Sequence, residues 1–571
     1  MATRPRIPRP PIVGAVLFVV AASTPAAQTS TWVFQGPDGR LQYQTDSQGN
    51  GVMDFSYAGY LGGGVALPDV PVQQTVDASG SDDTAAIQAA IDAVSALLPD
   101  SNGFRGAVLL TAGAFNCAGP LRIATSGVVL RGSGSGPDGT IITMTGDPHT
   151  AVTLTGAGSY QPFGRSAAMT DAYLPSGSLS LAIDDTSDFS VGDIVLIECP
   201  VTAAWISSLG MDLLVGSNGQ PQTWLAGSTI STDRVIAAVS GNQLTLDAPL
   251  SDSFDSALLN PPGGTVVHYS FDGRISQVGV EHLSVMAPPL NVDITQPQFT
   301  GLTMTAVLNG WGQDLAFQDT QNTVTIGGNV KQVTLDTVNV VHTVTHTGDR
   351  MADFGISGTQ IFVNQSSSTG SPGEWPFVTQ SRVTGPNVVL NFFSSQQAGI
   401  SAHQRWATGL LADNAQLPNA PNGYNGGTTG ISFSDRGNHG SGQGWAMGWG
   451  VAWNVTTPWL VVQMPAGAQN WCIGCVGTPL SGNEPGSNRP VADGIYDSLG
   501  TPVTPASLYL AQMCDRLGPS AVANIGYSGA CGGPPEPACH KWAVPTLYTR
   551  AKYEQCEPNV KWALRKRRAL F

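Results

Sequence analysis

The chain has 571 residues, of which 69 are glycine, 40 are proline and only 11% are charged, and its formal net charge is −15 at pH 7. This length exceeds that of one compact domain and suits an elongated repeat structure. The acidic balance argues against nucleic acid as a partner, because binding to phosphates requires a basic surface.

The first segment predicted along the chain is a secretory signal peptide over residues 1–27. Three arginines within the first nine residues precede a short apolar run at 12–22, and small residues follow as far as Ala27. The run is too short to span a bilayer, and no later apolar stretch is long enough to do so. We therefore expect cleavage near Ala27 and a secreted, monomeric protein that does not insert into a membrane.

Helical spacing of apolar residues predicts one helix near the start of the mature chain. Ser81 to Thr84 offer N-cap side chains and first-turn acids, and Ile87, Ile91 and Val94 follow on one face. Short apolar runs closed by glycine come next, at 106–110, 121–123 and 127–134. Short strands at short intervals are typical of a solenoid.

The same region resembles the opening of a known superfamily. The run 54–59, the pattern Asp-Asp-Thr-x-x-Ile-Gln-x-Ala-Ile from Asp82, the strand end at 112–115 and the Val-Val-Leu-Arg-Gly-Ser-Gly turn from Val128 are similar to the pectate-lyase-like superfamily. The resemblance covers residues 54–134 and is architectural beyond them. It implies an all-β, right-handed parallel β-helix whose first helix caps the core, and it speaks for fold more than for reaction.

Composition and pattern divide the rest of the chain. We assign residues 28–165 to the N-terminal cap and first coils, and 166–270 to a small inserted β domain with antiparallel strands and tight turns. The main β-helix with the candidate active site follows over 271–475, and a cysteine-containing cap or tail over 476–571. The insert either borders a substrate groove or merely decorates the solenoid.

Eight cysteines suit an exported protein with disulfides. Cys472 and Cys475 form a C-x-x-C pair, but no βαβ pattern surrounds them, so a redox role is not favoured. Zinc binding is not favoured either, because only His540 lies near the C-terminal cysteines. Structural disulfides are the preferred interpretation, with their connectivity left open.

Cations are sparse in the segment that carries most of the strands. Between residues 275 and 488 the lysines and arginines are Lys331, Arg350, Arg382, Arg405 and Arg436. The four arginines follow one another at intervals of 32, 23 and 31 residues, close to one per coil. A ladder of guanidinium groups at that spacing suits a chain of carboxylates, each of which accepts a bidentate pair. The alternative is that each arginine ties down its own loop.

The short run His403-Gln404-Arg405-Trp406 is the sharpest candidate site. Residues two apart on a strand share a face, so His403 and Arg405 are expected to project together. Histidine beside arginine in a sparsely charged chain is a candidate acid or base, although a lone histidine is more often structural. Exposed indoles also suit the apolar faces of sugar rings, although buried packing explains most tryptophans.

These residues suit β-elimination from a uronic acid, which needs a cation at the carboxylate, a base for the C5 proton and an acid for the departing C4 oxygen. The predicted catalytic set is Arg405 as carboxylate clamp, His403 as base, His439 or His346 as acid, and Lys331 as a reserve base. The predicted substrate-binding set is Arg350, Arg382, Arg436, Trp406 and Trp445. The expected partner is an acidic polysaccharide.

Two other functions stay open. A glycoside hydrolase would use two carboxylates from the set Asp349, Asp353, Glu374 and Asp435. A non-catalytic glycan binder or adhesin would need the arginines and tryptophans but no acid and base. No cofactor is predicted, because the aspartate-rich calcium site of typical pectate lyases is not visible. The paired-aspartate and Arg-x-Lys pattern of polygalacturonases, a family of hydrolases, is also missing.

Overall fold

The computed structural model describes residues 28–222, 227–347, 352–371, 375–396, 398–421, 429–482, 490–529 and 531. The predicted signal peptide over 1–27 lies outside these residues, as do Arg350, Asp349 and Glu374 of the candidate site. Within the described residues, no helix is long and apolar enough to cross a membrane.

The N-terminal region forms the first coils of the fold. Helix α1 (Thr84–Ser95) is confirmed, and its residues Ile87, Ile91 and Val94 are buried in the same apolar core as the first strands, so the helix caps that core. The strands are β1 (Gln28–Thr29), β2 (Val33–Gln35), β3 (Leu41–Tyr43), β4 (Val72–Val76), β5 (Gly106–Leu110), β6 (Gly113–Cys117), β7 (Leu121–Ile123), β8 (Val128–Arg131), β9 (Thr140–Met144) and β10 (Thr150–Thr155).

An antiparallel domain is inserted after β10, as the sequence predicts. Its main sheet has the strand order β11-β18-β14-β15-β16-β13. The strands are β11 (Gln161–Ala168), β12 (Tyr173–Leu174), β13 (Ser180–Ala182), β14 (Ile194–Pro200), β15 (Thr229–Ser240), β16 (Gln243–Leu246), β17 (Phe254–Asp255) and β18 (Thr265–Ser270), with helices α2 (Ala203–Ser208) and α3 (Ser256–Leu259).

The solenoid resumes after the insert and continues almost to the end of the described chain. Its strands are β19 (Ile275–Met286), β20 (Thr300–Thr305), β21 (Val307–Gln318), β22 (Val324–Ile326), β23 (Lys331–His342), β24 (Ala352–Ile356), β25 (Thr359–Asn364), β26 (Ser367–Gly370), β27 (Trp375–Thr379), β28 (Thr384–Leu390), β29 (Phe393–Ser394), β30 (Ile400–Ala402), β31 (Ala407–Asp413), β32 (Ile431–Phe433), β33 (Met447–Gly448), β34 (Val451–Trp453), β35 (Thr456–Val462), β36 (Trp471–Ile473), β37 (Val476–Pro479), β38 (Ile495–Asp497) and β39 (Val503–Thr504), followed by helices α4 (Leu508–Leu517) and α5 (Pro519–Asn524).

Three parallel sheets enclose one apolar core, which confirms the predicted parallel β-helix. Sheet A has the order β37-β35-β32-β30-β27-β24-β22-β20-β10-β7. Sheet B runs from β4 through β5, β8, β19, β21, β23, β25, β28, β31, β34 and β36 to β38, and sheet C from β6 through β9, β19, β21, β23 and β26 to β29. Each successive strand of a sheet comes from the next coil, so equivalent positions stack along the solenoid.

The corner between sheets B and C is a column of residues in the left-handed backbone region. Its members, at φ between +46° and +58°, are His282, Asp314, Thr337, Gln365, Asn391, Asn414 and Asn454. Asparagine, aspartate and histidine tolerate this conformation better than most residues do. The amide of Asn414 also donates to Asn391 Oδ1 of the previous coil at 2.6 Å.

The C-terminal helices lie along the side of sheet B. The Tyr509 ring centroid is 4.5 Å from that of Phe362 on β25, and the Tyr509 backbone N–H donates to Asp413 on β31. These helices also hold the N-terminal segment, because the Tyr509 hydroxyl donates to the carbonyl of Ala58 and the Phe55 backbone N–H donates to the side chain of Gln512. Strand β1 pairs with β39 in parallel.

Two disulfides join Cys472 to Cys475 and Cys514 to Cys531, so structural disulfides are present as predicted. Cys117 and Cys199 are buried thiols. Cys539 and Cys556 lie outside the described residues.

Candidate functional site

Three of the predicted arginines lie on one corner of the solenoid. Arg382, Arg405 and Arg436 each stand three residues after the end of a sheet A strand, on the turn that leads to sheet B. The strands are β27, β30 and β32, which are neighbours in the sheet and pair in parallel. The Arg382 backbone N–H donates to the carbonyl of Arg405 at 3.0 Å. We call these three residues the arginine corner.

The three guanidinium groups differ in their access to solvent. Arg382 is exposed and Arg405 is half-buried, with its Nη2 donating to the Ser441 hydroxyl at 2.7 Å. Arg436 is only 2% exposed. Its Nη1 donates to the carbonyl of His403 at 2.6 Å, and its guanidinium lies 5.4 Å from the ring centroid of Trp375. The Arg382 and Arg405 side chains are therefore accessible from solvent, while Arg436 lies buried beneath the corner.

His403 follows β30 directly and lies between two glutamines. Its Nδ1 is 3.0 Å from Gln380 Oε1, and its Nε2 is 3.5 Å from Gln443 Nε2. An amide oxygen accepts and an amide nitrogen donates, so this arrangement assigns the proton to Nδ1 and leaves Nε2 as the acceptor. Burial, and then the charges of Arg436, Arg405 and His439, lower the pKa of His403 to about 4. The imidazole is therefore neutral at neutral pH.

The glycine-rich turn over residues 436–444 forms one wall of this corner. Its two ends pair, since the Arg436 backbone N–H donates to the carbonyl of Gly444 and the Gly444 N–H donates to the carbonyl of Gly437. His439 is exposed near the tip of the turn. The charge of His439 contributes to lowering the pKa of His403.

The inserted domain contacts this turn directly. The sequence alone leaves open whether the insert borders a substrate groove or lies apart from it on the solenoid. The hydrogen bonds run from Val215 N to Asn438 Oδ1 at 2.8 Å, from Ser217 N to the Gly440 carbonyl at 2.8 Å and from Gln222 Nε2 to the Ser441 carbonyl at 2.6 Å. The insert therefore borders the candidate site.

The structure does not bring two predicted catalytic residues into a usable position. Lys331 is 3% exposed, and its Nζ is 3.0 Å from Asp233 Oδ1 of the insert. His346 is 7% exposed, lies at the opposite edge of sheet A, and donates from Nε2 to the carbonyl of Leu290 at 2.6 Å. Both environments suit structural roles, so neither residue fits the base or acid role predicted for it.

The sugar-platform role predicted for Trp406 and Trp445 does not fit their burial, since they are 2% and 5% exposed. The indole of Trp406 donates to Asp252 Oδ2 at 2.6 Å and meets the ring of Trp205 edge-on. Both tryptophans join the core between the insert and sheet B. Their role is to fix the insert on the solenoid.

The carboxylates considered for a hydrolase do not form an exposed pair among the described residues. Asp353 is buried, with Oδ1 2.8 Å from His342 Nε2. Asp435 is buried and accepts from the Gly437 backbone N–H at 2.8 Å. The part of the chain that the structure describes holds no group of three His, Cys, Asp or Glu side chains able to share a metal ion.

Three residues of this site, Gln380, Ser441 and Gln443, are not among the predicted catalytic or substrate-binding residues. A signal for Gln380 was present, because Gln380-Ser381-Arg382 and His403-Gln404-Arg405 share one spacing across neighbouring coils. Ser441 lies in a glycine-rich run, 436–442, that the sequence shows, but its contact with Arg405 and the place of Gln443 depend on a turn that the insert contacts.

Comparisons with known proteins come from solved structures only, because no protein-family model and no curated protein matches the chain. The tailspike protein gp49 of Pseudomonas phage LKA1 is 14% identical over 70% of this chain and 64% of its own, at a TM-score of 0.35. The Gp54 tailspike of Acinetobacter baumannii bacteriophage AP22 was solved with an A. baumannii capsular saccharide. It is 10% identical over 73% of this chain and 63% of its own, at a TM-score of 0.35. The Escherichia coli protein ybhC is 11% identical over 80% of this chain and 92% of its own, at a TM-score of 0.24.

The match spans less than two thirds of either tailspike chain. At these identities and TM-scores the similarity says nothing about activity.

Proposed function

We propose that this protein binds an acidic polysaccharide at the arginine corner and cleaves it by β-elimination at a uronic acid residue. The observation that carries the proposal is a neutral, half-buried imidazole at His403 beside the guanidinium groups of Arg436 and Arg405. Burial, and then the nearby charge of Arg382, lower the pKa of the Arg405 guanidinium. In a chain of net charge −15, such a local positive site is suited to an anionic ligand.

In this proposal, Arg405 and Arg382 bind the uronate carboxylate and stabilise the charge that develops on it. The Gln443 amide first moves away from Nε2 of His403. Nε2 then accepts the C5 proton. The C5–H electron pair becomes the C4=C5 double bond, the C4–O bond breaks, and His439 donates a proton to the departing oxygen.

The bound substrate itself tunes the base. The pKa of His403 is low partly because Arg436 and Arg405 repel a proton on the ring. A carboxylate that pairs with Arg405 offsets this repulsion and raises the pKa of His403 toward the value that general base catalysis needs. Proton abstraction is then favoured only when an acidic sugar is bound.

We place this activity outside the cell. The disulfides suit an oxidising compartment, and the predicted signal peptide over 1–27 provides export. No bound cofactor enters the proposed reaction.

The test is incubation with a panel of polyuronides, followed by ultraviolet absorbance of the unsaturated product and by a reducing-end assay. We expect rising absorbance with at least one polyuronide, and a loss of about 10²–10⁴-fold in kcat for His403→Gln. His149→Gln, on the first coils, is the matched control and should retain activity. Reducing ends without absorbance would indicate a hydrolase, and binding without either product would indicate a glycan binder; each result would overturn the lyase.

A further inference from the structure

We infer that the inserted domain is a working part of the site, in which Gln222 of the insert positions Arg405 of the solenoid through Ser441. The inference deepens the proposed function, because Arg405 is the proposed clamp for the substrate carboxylate. Gln222 and Ser441 are positioning residues here, since each acts on the ligand through Arg405.

The connection between them is a continuous set of hydrogen bonds. Gln222 Nε2 donates to the backbone carbonyl of Ser441 at 2.6 Å and lies 3.3 Å from that of Gly442. The Ser441 hydroxyl accepts from Arg405 Nη2 at 2.7 Å. The glutamine therefore fixes the backbone that carries the hydroxyl, and the hydroxyl fixes one end of the guanidinium.

The insert and the turn are also fitted closely in shape. Gly444 adopts φ of +62°, and a Cβ there would lie 2.7 Å from Leu214 Cδ1 and 3.0 Å from Met211 Sδ of the insert. A side chain at this position would be strained at the positive φ and would displace these two flexible side chains, so glycine suits the approach of the turn to the insert. The turn is therefore held by packing as well as by hydrogen bonds.

The same turn reaches His403 as well. Gln443 lies beside the imidazole, and its carbonyl accepts from the Arg405 backbone N–H at 3.2 Å. Displacing the turn therefore changes the position of the guanidinium relative to the ring. The pKa of His403 reports this change, because Arg405 is one of the charges that lower it, with Arg436 and His439.

The experiment compares Gln222→Ala, Ser441→Ala, Ser441→Thr and Gln220→Ala in the full chain. Gln220→Ala is the matched control, because this exposed glutamine lies in the same segment of the insert. The first readout is the pKa of His403 from NMR titration of its imidazole. We expect Gln222→Ala and Ser441→Ala to raise it, and Ser441→Thr, which keeps the hydroxyl, and Gln220→Ala to leave it unchanged.

The second readout is kinetics on the polyuronide that the wild-type protein cleaves. We expect Gln222→Ala and Ser441→Ala to raise KM by about three- to tenfold with kcat changed less than about twofold. The double variant should be no worse than Ser441→Ala alone, because both changes break one connection.

The two proposals fail in different ways. A wild-type protein that neither binds nor cleaves any polyuronide ends the proposed function, while the NMR titration still tests the connection. An unchanged pKa of His403 in both Gln222→Ala and Ser441→Ala, with intact folding by circular dichroism, overturns the inference even if the lyase activity is real.

Discussion

The imidazole of His403 and the amide of Gln380 lie on adjacent coils, with Nδ1 and Oε1 3.0 Å apart. Coils of a parallel β-helix stack at the separation of neighbouring strands, so side chains at equivalent positions come within hydrogen-bond distance. The glutamine fixes the ring orientation and the proton on Nδ1. The nitrogen left for chemistry is Nε2, and its state is the first property to test.

The low pKa of His403 predicts how stability depends on pH. Burial and the neighbouring cations lower this pKa from 6.5 to about 4, so between these values the unfolded chain holds a proton that the folded protein lacks. The stabilisation is fully present above about pH 6.5 and is lost as pH falls through about 4. His403→Gln should therefore flatten the rise of the free energy of unfolding across this window, measured by urea unfolding. An unchanged slope in His403→Gln would contradict the assignment.

Arg405→Lys should raise KM by about 10- to 100-fold on a polyuronide, because lysine cannot offer the paired donors of a guanidinium to a carboxylate. The difference in KM between the wild-type protein and Arg405→Lys should shrink as the salt concentration rises, because salt screens charges at a half-exposed site. Initial rates at two ionic strengths measure both effects. Arg165→Lys, in a surface ion pair of the insert with Asp184, is the control and should leave KM as it is.

Trp406→Phe should lower stability without weakening glycan binding. The change leaves the buried carboxylate of Asp252 with one fewer donor, which costs about 1–3 kcal/mol. Chemical unfolding and the affinity for a polyuronide are the measurements. Trp459→Phe is the matched control, because its half-buried indole makes no hydrogen bond among the described residues. Weaker binding by folded Trp406→Phe would restore the sugar-platform role.

Asn414 allows a test of the left-handed corner. Asn414→Ala and Asn414→Gly both lose the hydrogen bond to Asn391, but only alanine is strained at φ of +55°. That strain costs about 1–2 kcal/mol, and the greater freedom of glycine in the unfolded chain offsets about 0.5–1 kcal/mol of it. The alanine variant should therefore be less stable than the glycine variant by about 0.75 kcal/mol in urea unfolding, the difference between the midpoints of these two ranges. Equal stabilities would show that the corner is not under this constraint.

Regular spacing in the sequence predicted the features that arise within one coil or between neighbouring coils. Helix α1 followed from the spacing of Ile87, Ile91 and Val94, and the shared corner of Arg382 and Arg405 followed from coil-length spacing. Parallel coils convert regular sequence intervals into spatial neighbours, so this information is present in the chain itself.

Contacts between distant segments were not predictable in this way. Lys331 looked available, but Asp233, which neutralises it, comes from the inserted domain 98 residues earlier. Trp406 and Trp445 are buried in the apolar core that the solenoid shares with the insert. Residue type alone does not reveal which outward positions another domain covers.

The contact between the first and last described segments of the chain changes how the solenoid should come apart. An open repeat protein frays from its ends, because each coil contacts only its neighbours. Here the helix bearing Tyr509 joins the segment around Ala58 to the middle coils, and β1 pairs with β39. Separating either of these segments therefore disrupts contacts with several coils, which makes all-or-none loss of structure the expected behaviour of this otherwise modular architecture.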